Sequence, residues 1–384
     1  MEESVPGNKQ MKSRIIKIGK KAFILVLFLI AYLLFHWSAD YPQQTEQYYS
    51  GGFFVYTNRV LVGLSSLLPV SLAEIMVLLL SLYILFVIGR TVYRAVTREK
   101  ALSGRMLCIL ETVMHLLVLT GIIVFLYVVF WGLNNNRQSL AESIGITVEK
   151  SAVSELAACC MSLLELTNTQ REKMLEDNEG VMRLSDGRQE VMNRAGGGYQ
   201  DLALELPTLA KIKPGTPKPV LSSVLMSYAG ITGIYFPFTA EANINVHILD
   251  MELPFTVCHE LAHQMGYAGE DEANFIAWLA CSQSPCLDYQ YSGNYYALTY
   301  LMNALAAADR EVWREVYTSC SPGLQRDFAA ASRYWDQFKG PIKEVSTVVN
   351  DSFLKANRQE DGVRSYGKMV DLVIAWMRAE QDLK

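Results

Sequence analysis

Three long apolar runs dominate the first third of the chain and determine the predicted architecture. They cover residues 22–37, 70–89 and 106–132. A helix needs about 20 apolar residues to cross the hydrocarbon core of a bilayer, so the second and third runs are long enough and the first is shorter. The first run follows a basic tail, as in a signal peptide, but no small-residue cleavage motif comes after it. The pattern therefore predicts three transmembrane helices, the first of them an uncleaved anchor.

The distribution of Lys and Arg predicts how these helices are oriented. Residues 1–21 and 90–105 are rich in Lys and Arg, whereas residues 38–69 contain Arg59 as their single basic residue. Basic segments next to membrane helices stay on the cytoplasmic side. We therefore expect a cytoplasmic tail (1–21), an outer loop (38–69), a cytoplasmic loop (90–105) and an extracytoplasmic domain (133–384) of a multi-pass plasma-membrane protein.

Helical periodicity prevails in the predicted outer domain. Apolar residues recur at helical spacing over 148–175, while residues 244–248 alternate between apolar and polar, which is typical of a strand with one buried face. From Pro254 onward the pattern predicts helices over 254–266, 270–283, 293–308, 310–318, 323–338, 342–359 and 364–382. The expected fold is a mainly helical α+β domain with a small sheet.

Composition narrows the possible functions only slightly. The 384 residues include 51% hydrophobic residues, most densely in the three runs, and the net charge is −5. No basic block lies beyond the first 110 residues, so nucleic-acid binding is not expected. Seven cysteines do not form a disulfide pattern, and buried free thiols are the preferred interpretation. Cys281, Cys286 and Cys320 are the possible bridge partners.

The stretch His259-Glu260-Leu261-Ala262-His263 carries the candidate chemistry. On a helix, two histidines four residues apart share one face, and their ring nitrogens reach a single Zn²⁺. Glu260 lies about 100° further round, where its carboxylate contacts a metal-bound water rather than the ion. Pro254 suits the first turn of such a helix and Gly266 suits the residue after its end. The spacing therefore predicts a hydrolytic zinc centre with Glu260 as general base.

A carboxylate is expected as the third ligand. His247 is the only other histidine of the outer domain, and its position in the predicted strand disfavours it. Glu270 and Glu272 follow the motif after the turn at residues 266–269. If a helix begins near Glu270, the two glutamates point about 160° apart, so only one of them faces the metal. Small residues on the face of Glu270 favour that residue over Glu272, with Asn274 one turn further on as its hydrogen-bonding support.

The HExxH motif followed by Glu-x-x-Ala-Asn at 270–274 resembles the gluzincin metallopeptidases, in which a second helix supplies a glutamate ligand. The linker here is shorter, and Gly269 stands where metzincins have a third histidine. Over nearly its whole length the sequence resembles bacterial membrane proteins of the domain of unknown function 3810 family. The shared features are the three N-terminal runs and the segments 233–238, 254–264, 270–274, 350–357 and 365–367. The resemblance implies a zincin-like domain and a metallopeptidase whose substrate is not established.

The sequence thus leads to the hypothesis of a membrane-anchored zinc metallopeptidase that acts on peptide or protein substrates outside the cytoplasm. Tyr295 and Tyr366 are candidate donors to the developing oxyanion, although each also suits packing at a helix surface. The alternative is a metal-binding receptor or sensor ectodomain without proteolytic activity. An intact Glu260 favours catalysis, because a purely structural metal site does not require it. Proteolysis within the membrane is disfavoured, since acidic residues flank the motif on both sides.

Overall fold

The computed structural model describes Arg14 and residues 26–99 and 101–382. The protein is mainly helical (74%), with a small sheet, as the sequence predicts. The N-terminal segments are α1 (Val26–Asp40), α2 (Pro42–Gln44), a π-helix (Thr45–Phe53), α3 (Phe54–Ser65), α4 (Leu72–Thr97) and α5 (Leu102–Phe130). The outer domain contains α6 (Leu140–Ile144), α7 (Val153–Arg171), α8 (Arg188–Arg194), α9 (Gly196–Glu205), α10 (Ser223–Ala229), α11 (Leu253–Gln264), α12 (Glu270–Gln283), α13 (Leu287–Ala308), α14 (Arg310–Thr318), α15 (Pro322–Asp336), α16 (Pro341–Ala356) and α17 (Met369–Asp382).

Two helices within the described ranges are long and apolar enough to cross a membrane, where the sequence predicted three. They are α4, with 26 residues, and α5, with 29 residues. At 1.5 Å per residue each exceeds the roughly 30 Å of a hydrocarbon core. The described part of the first predicted span, helix α1, has 15 residues and is about 22 Å long. Residues 22–25 of the first predicted span lie outside the described part of the chain, as does the basic tail apart from Arg14.

Residues 38–69, predicted as an outer loop, are largely helical and pack into the outer domain. Phe54 is 1% exposed and lies with its ring centroid 5.8 Å from that of Trp131. Asn58 Nδ2 donates a hydrogen bond of 2.8 Å to the carbonyl oxygen of Gln264, at the end of α11. The segment between α1 and α4 therefore contributes to the same core as the HExxH helix.

The predicted helices of the outer domain appear in the structure with shifted ends. Helices α12 and α14 have the predicted bounds. Helix α13 begins at Leu287, six residues before its predicted start, and the last predicted helix begins as a 3₁₀-helix (Gly362–Lys368) before α17. Ends shift because apolar spacing locates the middle of a helix better than its caps.

The sheet differs from the prediction more clearly. Its strands are β3 (Lys218–Pro219), β4 (Gly233–Phe236) and β5 (Glu241–Ile244), in the order β3-β5-β4, and β1 (Leu175–Glu176) pairs with β2 (Met182–Arg183) elsewhere. Strand β5 is central and ends at Ile244, although alternation predicted a strand over 244–248. Asn245 ends it, because its Oδ1 accepts a hydrogen bond from His247 N and so closes a local turn.

The core is centred on α11, in which every residue is buried. Helix α12 packs directly against it, and α9 and α13 pack on α12 in turn. The contact between α9 and α12 is very close: a Cβ at Gly198 would lie 2.0 Å from the carbonyl oxygen of Ala280. All seven cysteines are free, and six of them are buried. Free thiols are therefore confirmed in the structure, and none of Cys281, Cys286 and Cys320 forms a bridge.

Candidate metal centre

Helix α11 brings the two histidines of the motif onto one face. A 3₁₀-turn (Asp250–Glu252) leads into it, and Pro254 occupies the first turn, where a missing N–H costs nothing. The rings of His259 and His263 lie 4.6 Å apart between centroids and nearly perpendicular to each other. The side chain of His263 is fixed by its Nδ1, which lies 2.7 Å from the carbonyl oxygen of Tyr267. An N–H at Nδ1 leaves Nε2 with its lone pair directed at a ligand.

A tight turn carries the chain from α11 back to the histidines. Gly266 adopts a φ of +94°, a conformation that residues with a Cβ rarely adopt, and its N–H closes the helix end on His263 O. Arg137 Nη1 donates to Gly266 O at 3.0 Å, and its guanidinium lies over the ring of Tyr267. The same guanidinium is paired with Glu46, at 2.8 Å. Buried contacts on both sides thus hold the turn that precedes α12.

The carboxylate of Glu270, the first residue of α12, meets both histidines. Its Oε2 lies 3.2 Å from His259 Nε2 and 3.5 Å from His263 Nε2. Ligand atoms bound at about 2.0–2.1 Å in tetrahedral geometry are about 3.3–3.4 Å apart. Although Glu270 Oε2 is buried, no hydrogen bond of good geometry reaches it from the described residues. The three side chains are therefore spaced to bind one metal ion.

Glu272 takes no part in this cluster. Its Oε1 accepts a hydrogen bond from Leu140 N at 2.5 Å. The metal-binding group found among the described residues consists of His259, His263 and Glu270. The preference for Glu270 over Glu272 is therefore supported by the geometry, for the reason expected: the two glutamates lie on opposite sides of α12. Asn274, predicted to support the ligand, is buried one turn on and donates to the hydroxyl of Tyr300 at 3.4 Å.

Electrostatics in the cluster favour a carboxylate ligand. Burial raises the pKa of Glu270, but the two imidazoles outweigh it and hold that pKa well below its usual range. Burial lowers the pKa of His263, yet the adjacent Glu270 raises it to about 9. Without a cation between them, these shifts favour a positive charge on His263 and a negative charge on Glu270. An ion bound in the same place would replace the proton on His263 as the positive charge.

Glu260 faces the neighbouring strand rather than the ion. A Cβ at position 233 would lie 2.6 Å from its Cγ, so Gly233 leaves the space in which the carboxylate sits. Burial raises the pKa of Glu260, and the nearby imidazoles and the backbone N–H of Tyr235 lower it in part. In the described part of the chain, Glu260 Oε2 has no hydrogen-bond partner although it is buried. Such an atom is positioned to accept a proton from a bound molecule.

A cavity of about 680 Å³ opens onto these four side chains. Its walls come from three separate parts of the chain: the segment through β4 (229–237), helix α16 with the turn after it, and the end of α5 with the following turn. Most of the lining is apolar, and its acidic and histidine side chains are the four named above. This arrangement of an apolar pocket with a few polar groups at its base is typical of a small-molecule or peptide site.

Comparison with known families gives one match. The family described as "Protein of unknown function (DUF3810)" matches residues 49–374. This chain belongs to the DUF3810 family. The match confirms the resemblance noted in the sequence, and it runs from within the π-helix (Thr45–Phe53) into the first half of α17. No curated protein and no solved structure matches.

The predictions for the two candidate oxyanion donors, Tyr295 and Tyr366, differ in how they compare with the structure. Tyr295 does not line the cavity; it is buried in an aromatic cluster, stacked on Phe328 with centroids 5.2 Å apart. The prediction that Tyr295 acts at the site is therefore not supported, because α13 presents it to α15 instead. The side chain of Tyr366 lies outside the described part, so its predicted role stays a prediction.

Sequence reasoning missed the wall formed by α5 and α16. Tyr127 and Trp131 line the cavity from the end of α5, and Trp131 meets His263 edge to face at 6.1 Å. These residues lie more than 120 positions from the motif, in a run that looked like membrane helix alone. Their aromatic identity at the end of an apolar run is typical of membrane-interface residues, and that signal explains their presence without reference to a site.

Proposed function

We propose that this DUF3810 protein is a membrane-anchored zinc metallopeptidase with a zincin-like centre at His259, His263 and Glu270. The observation that carries the proposal is the separation of Glu270 Oε2 from the two Nε2 atoms, 3.2 and 3.5 Å, together with Glu260 one position from the first ligand. Two imidazoles and one carboxylate with an open fourth position are the ligand set typical of catalytic zinc. A purely structural zinc site is usually closed by four protein ligands.

The chemistry divides between the ion and Glu260. A zinc ion held by the three ligands would polarise a substrate carbonyl and lower the pKa of water beside it. Glu260 accepts a proton at its carboxylate, whose pKa burial has raised, and delivers it to the leaving amine. The hydrogen bond between His263 and Tyr267 O holds the ring in the ligating tautomer throughout.

Strand β4 supplies a binding edge for an extended peptide. It is the edge strand of the three-stranded sheet and lines the cavity beside Glu260. Asn245 N donates to Thr232 O, so antiparallel alternation turns the N–H and C=O groups of Gly233 and Tyr235 away from β5. The N–H of Tyr235 faces Glu260, so a peptide main chain would pair with Gly233 and with the C=O of Tyr235, which would place its carbonyl near the cluster by β-augmentation.

Helices α4 and α5 support attachment to a membrane. Both are long and apolar, and their side chains are largely exposed. The basic segment 90–105 covers the last residues of α4 and the first residues of α5, so by the positive-inside rule the start of α4 and the end of α5 would lie on the outer side. The cavity borders that end of α5, so the proposed centre faces the outside of the cell membrane.

The test uses the full chain in detergent. Metal content is measured by elemental analysis, and cleavage of a peptide library is compared between wild type and Glu260→Gln. We expect about one zinc per chain in both and a loss of at least about 100-fold in cleavage for Glu260→Gln, the usual contribution of a general base. Glu252→Gln is the matched control, because Glu252 is also a buried glutamate next to α11 but contacts Trp335 instead.

Two results would overturn the proposal. Absence of bound metal would remove the centre itself. Zinc binding without any cleavage dependent on Glu260 would instead favour the sensor alternative, in which the ectodomain binds metal without catalysis.

A further inference from the structure

Helix α16 carries an apolar stripe that no described residue covers. Along one side of the helix, at spacings of three and four residues, lie Ile342, Val345, Val348, Val349 and Phe353, which are 62%, 62%, 66%, 62% and 47% exposed. Glu344, Asp351 and Lys355 form a separate polar stripe, and Leu354 faces inward. A helix with one buried face needs only one apolar side. The second apolar side therefore requires a partner.

One end of this helix lies at the end of α5. Tyr127, three residues before the last residue of α5, donates its hydroxyl to Asn357 Oδ1 at 2.8 Å. Its ring meets that of Phe353 edge to face at 5.9 Å. If α5 crosses the membrane, the C-terminal end of α16 is thereby held at the membrane surface.

The other end of α16 is linked to the start of α4. Helix α10 packs against α16, and just before α10 Leu221 and Ser222 donate their N–H groups to Glu74 in the first turn of α4. Leu221 and Leu225 are 95% and 70% exposed. These contacts therefore link the two apolar patches to the outer ends of both candidate spans.

We propose that the apolar stripe of α16, together with Leu221 and Leu225 at the start of α10, lies in the outer interface of the bilayer, so that the cavity opens at the membrane surface. The inference rests on the membrane anchoring in the proposed function. Val349 and Phe353 belong both to the stripe and to the cavity wall. Substrate therefore enters from the interface, and the substrate class is a peptide segment that lies on the membrane or emerges from it.

The placement is tested by quenching of a fluorophore by spin-labelled lipid. The full chain, with Cys286→Ser because Cys286 is the one cysteine that is not buried, receives a single new cysteine labelled with an environment-sensitive dye. It is reconstituted in vesicles of phosphatidylcholine and phosphatidylglycerol with a headgroup-proximal nitroxide lipid. We expect Val345→Cys, Val348→Cys and Leu225→Cys to be quenched at least twofold more than Glu344→Cys and Lys355→Cys on the polar stripe.

The controls separate this inference from the proposed function. Leu79→Cys, exposed on α4, reports whether the chain spans the bilayer at all. Loss of quenching there would overturn the anchoring, whereas quenching at Leu79→Cys but not at Val345→Cys would overturn the inference alone. Protection of Val345→Cys from both lipid nitroxide and a water-soluble quencher would overturn it in favour of a protein partner.

The substrate class has its own measurement. Val345→Glu and Val348→Glu add charge to the stripe without touching the cavity lining. We expect these variants to cleave a vesicle-tethered peptide at least about threefold more slowly and a soluble peptide at the wild-type rate. Equal rates on the tethered peptide would overturn entry from the interface. A wild-type chain that cleaves neither peptide would contradict the peptidase activity and leave the quenching result to decide the placement.

Discussion

At the scale of single residues, the centre depends on which of two glutamates faces α11. Because 100° separates consecutive helical residues, Glu270 and Glu272 cannot point the same way, and the sequence was sufficient to prefer the first. The structure adds what Glu272 does instead: it accepts the N–H of Leu140 and thereby holds the start of α6. Glu270 is buried and Glu272 is half-buried, both in the first turn of α12, so they form a pair for mutation.

Glu270→Gln should lose metal, and Glu272→Gln should keep it. Loss of supporting residues alone costs 10–100-fold in metal affinity, so removal of a charged ligand should cost more than about 100-fold. Affinity is measured by competition with a chromophoric chelator, with folding checked by circular dichroism. Equal affinities in the two variants, or the reverse order, would reject the ligand set.

At the scale of elements, the helices were predictable and the sheet was not. Apolar spacing located α11 and α12 because both are helices with continuous buried faces. The strand predicted from the alternation at 244–248 was wrong because side-chain hydrogen bonds of Asn245 close a turn there. Such bonds compete with strand pairing, and apolar periodicity does not show them. Strand β4, which does border the site, has only four residues and one of them is a glycine.

Gly198→Ala should destabilise the protein and Gly197→Ala should not. A Cβ at Gly198 would lie 2.0 Å from Ala280 O, whereas nothing lies within 4 Å of one at Gly197. Overpacking between α9 and α12 costs roughly 1–3 kcal/mol. An alanine in an open helical position instead stabilises by about 0.5–1 kcal/mol. Thermal unfolding midpoints of the two variants should move in opposite directions; equal shifts would contradict the close contact.

Glu252, the residue before α11, should make the free energy of unfolding depend on pH. Burial raises the pKa of Glu252 from 4.5 to about 7, against the opposing hydrogen bond from Trp335 Nε1. Because the folded pKa lies above the unfolded one, Glu252 contributes stability at low pH that is lost as pH rises from about 4.5 through 7. Up to about 3 kcal/mol is involved. As the pH is raised from 5 to 8, the thermal unfolding midpoint of the wild type should decrease relative to that of Glu252→Gln. If the two midpoints change in parallel with pH, Glu252 is ionised throughout this range.

At the scale of the whole molecule, buried polar contacts join the candidate membrane spans to the domain that follows them. Lys218, on β3, pairs with Glu241 and donates to Ser65 O at 2.6 Å. Glu241 in turn accepts the N–H groups of Leu72 and Ala73, at the start of α4. No periodic pattern could predict this network, because it depends on three-dimensional placement of residues about 150 positions apart. The sequence predicted the apolar runs and the HExxH motif, but not the buried polar contacts that join them.

Lys218→Met should be strongly destabilising because it leaves Glu241 buried and unneutralised. Removing one partner of a buried ion pair costs about 3–5 kcal/mol. The double variant Lys218→Met/Glu241→Gln removes both charges and should recover at least half of the lost stability, measured by thermal unfolding in detergent. A double variant no more stable than Lys218→Met alone would show that the pair does not couple the sheet to α4.

The hydrogen bond from Asn58 to Gln264 joins residues 206 positions apart. During synthesis at about 5–20 residues per second, the nascent chain would carry Asn58 for about 10–40 seconds before its acceptor is translated. The HExxH helix therefore acquires this contact at its C-terminal end only after both candidate spans have been synthesised. A fragment that begins after α5 would lack Phe54 and Asn58, so it would lose contacts that the N-terminal segments make with Trp131 and with the end of α11.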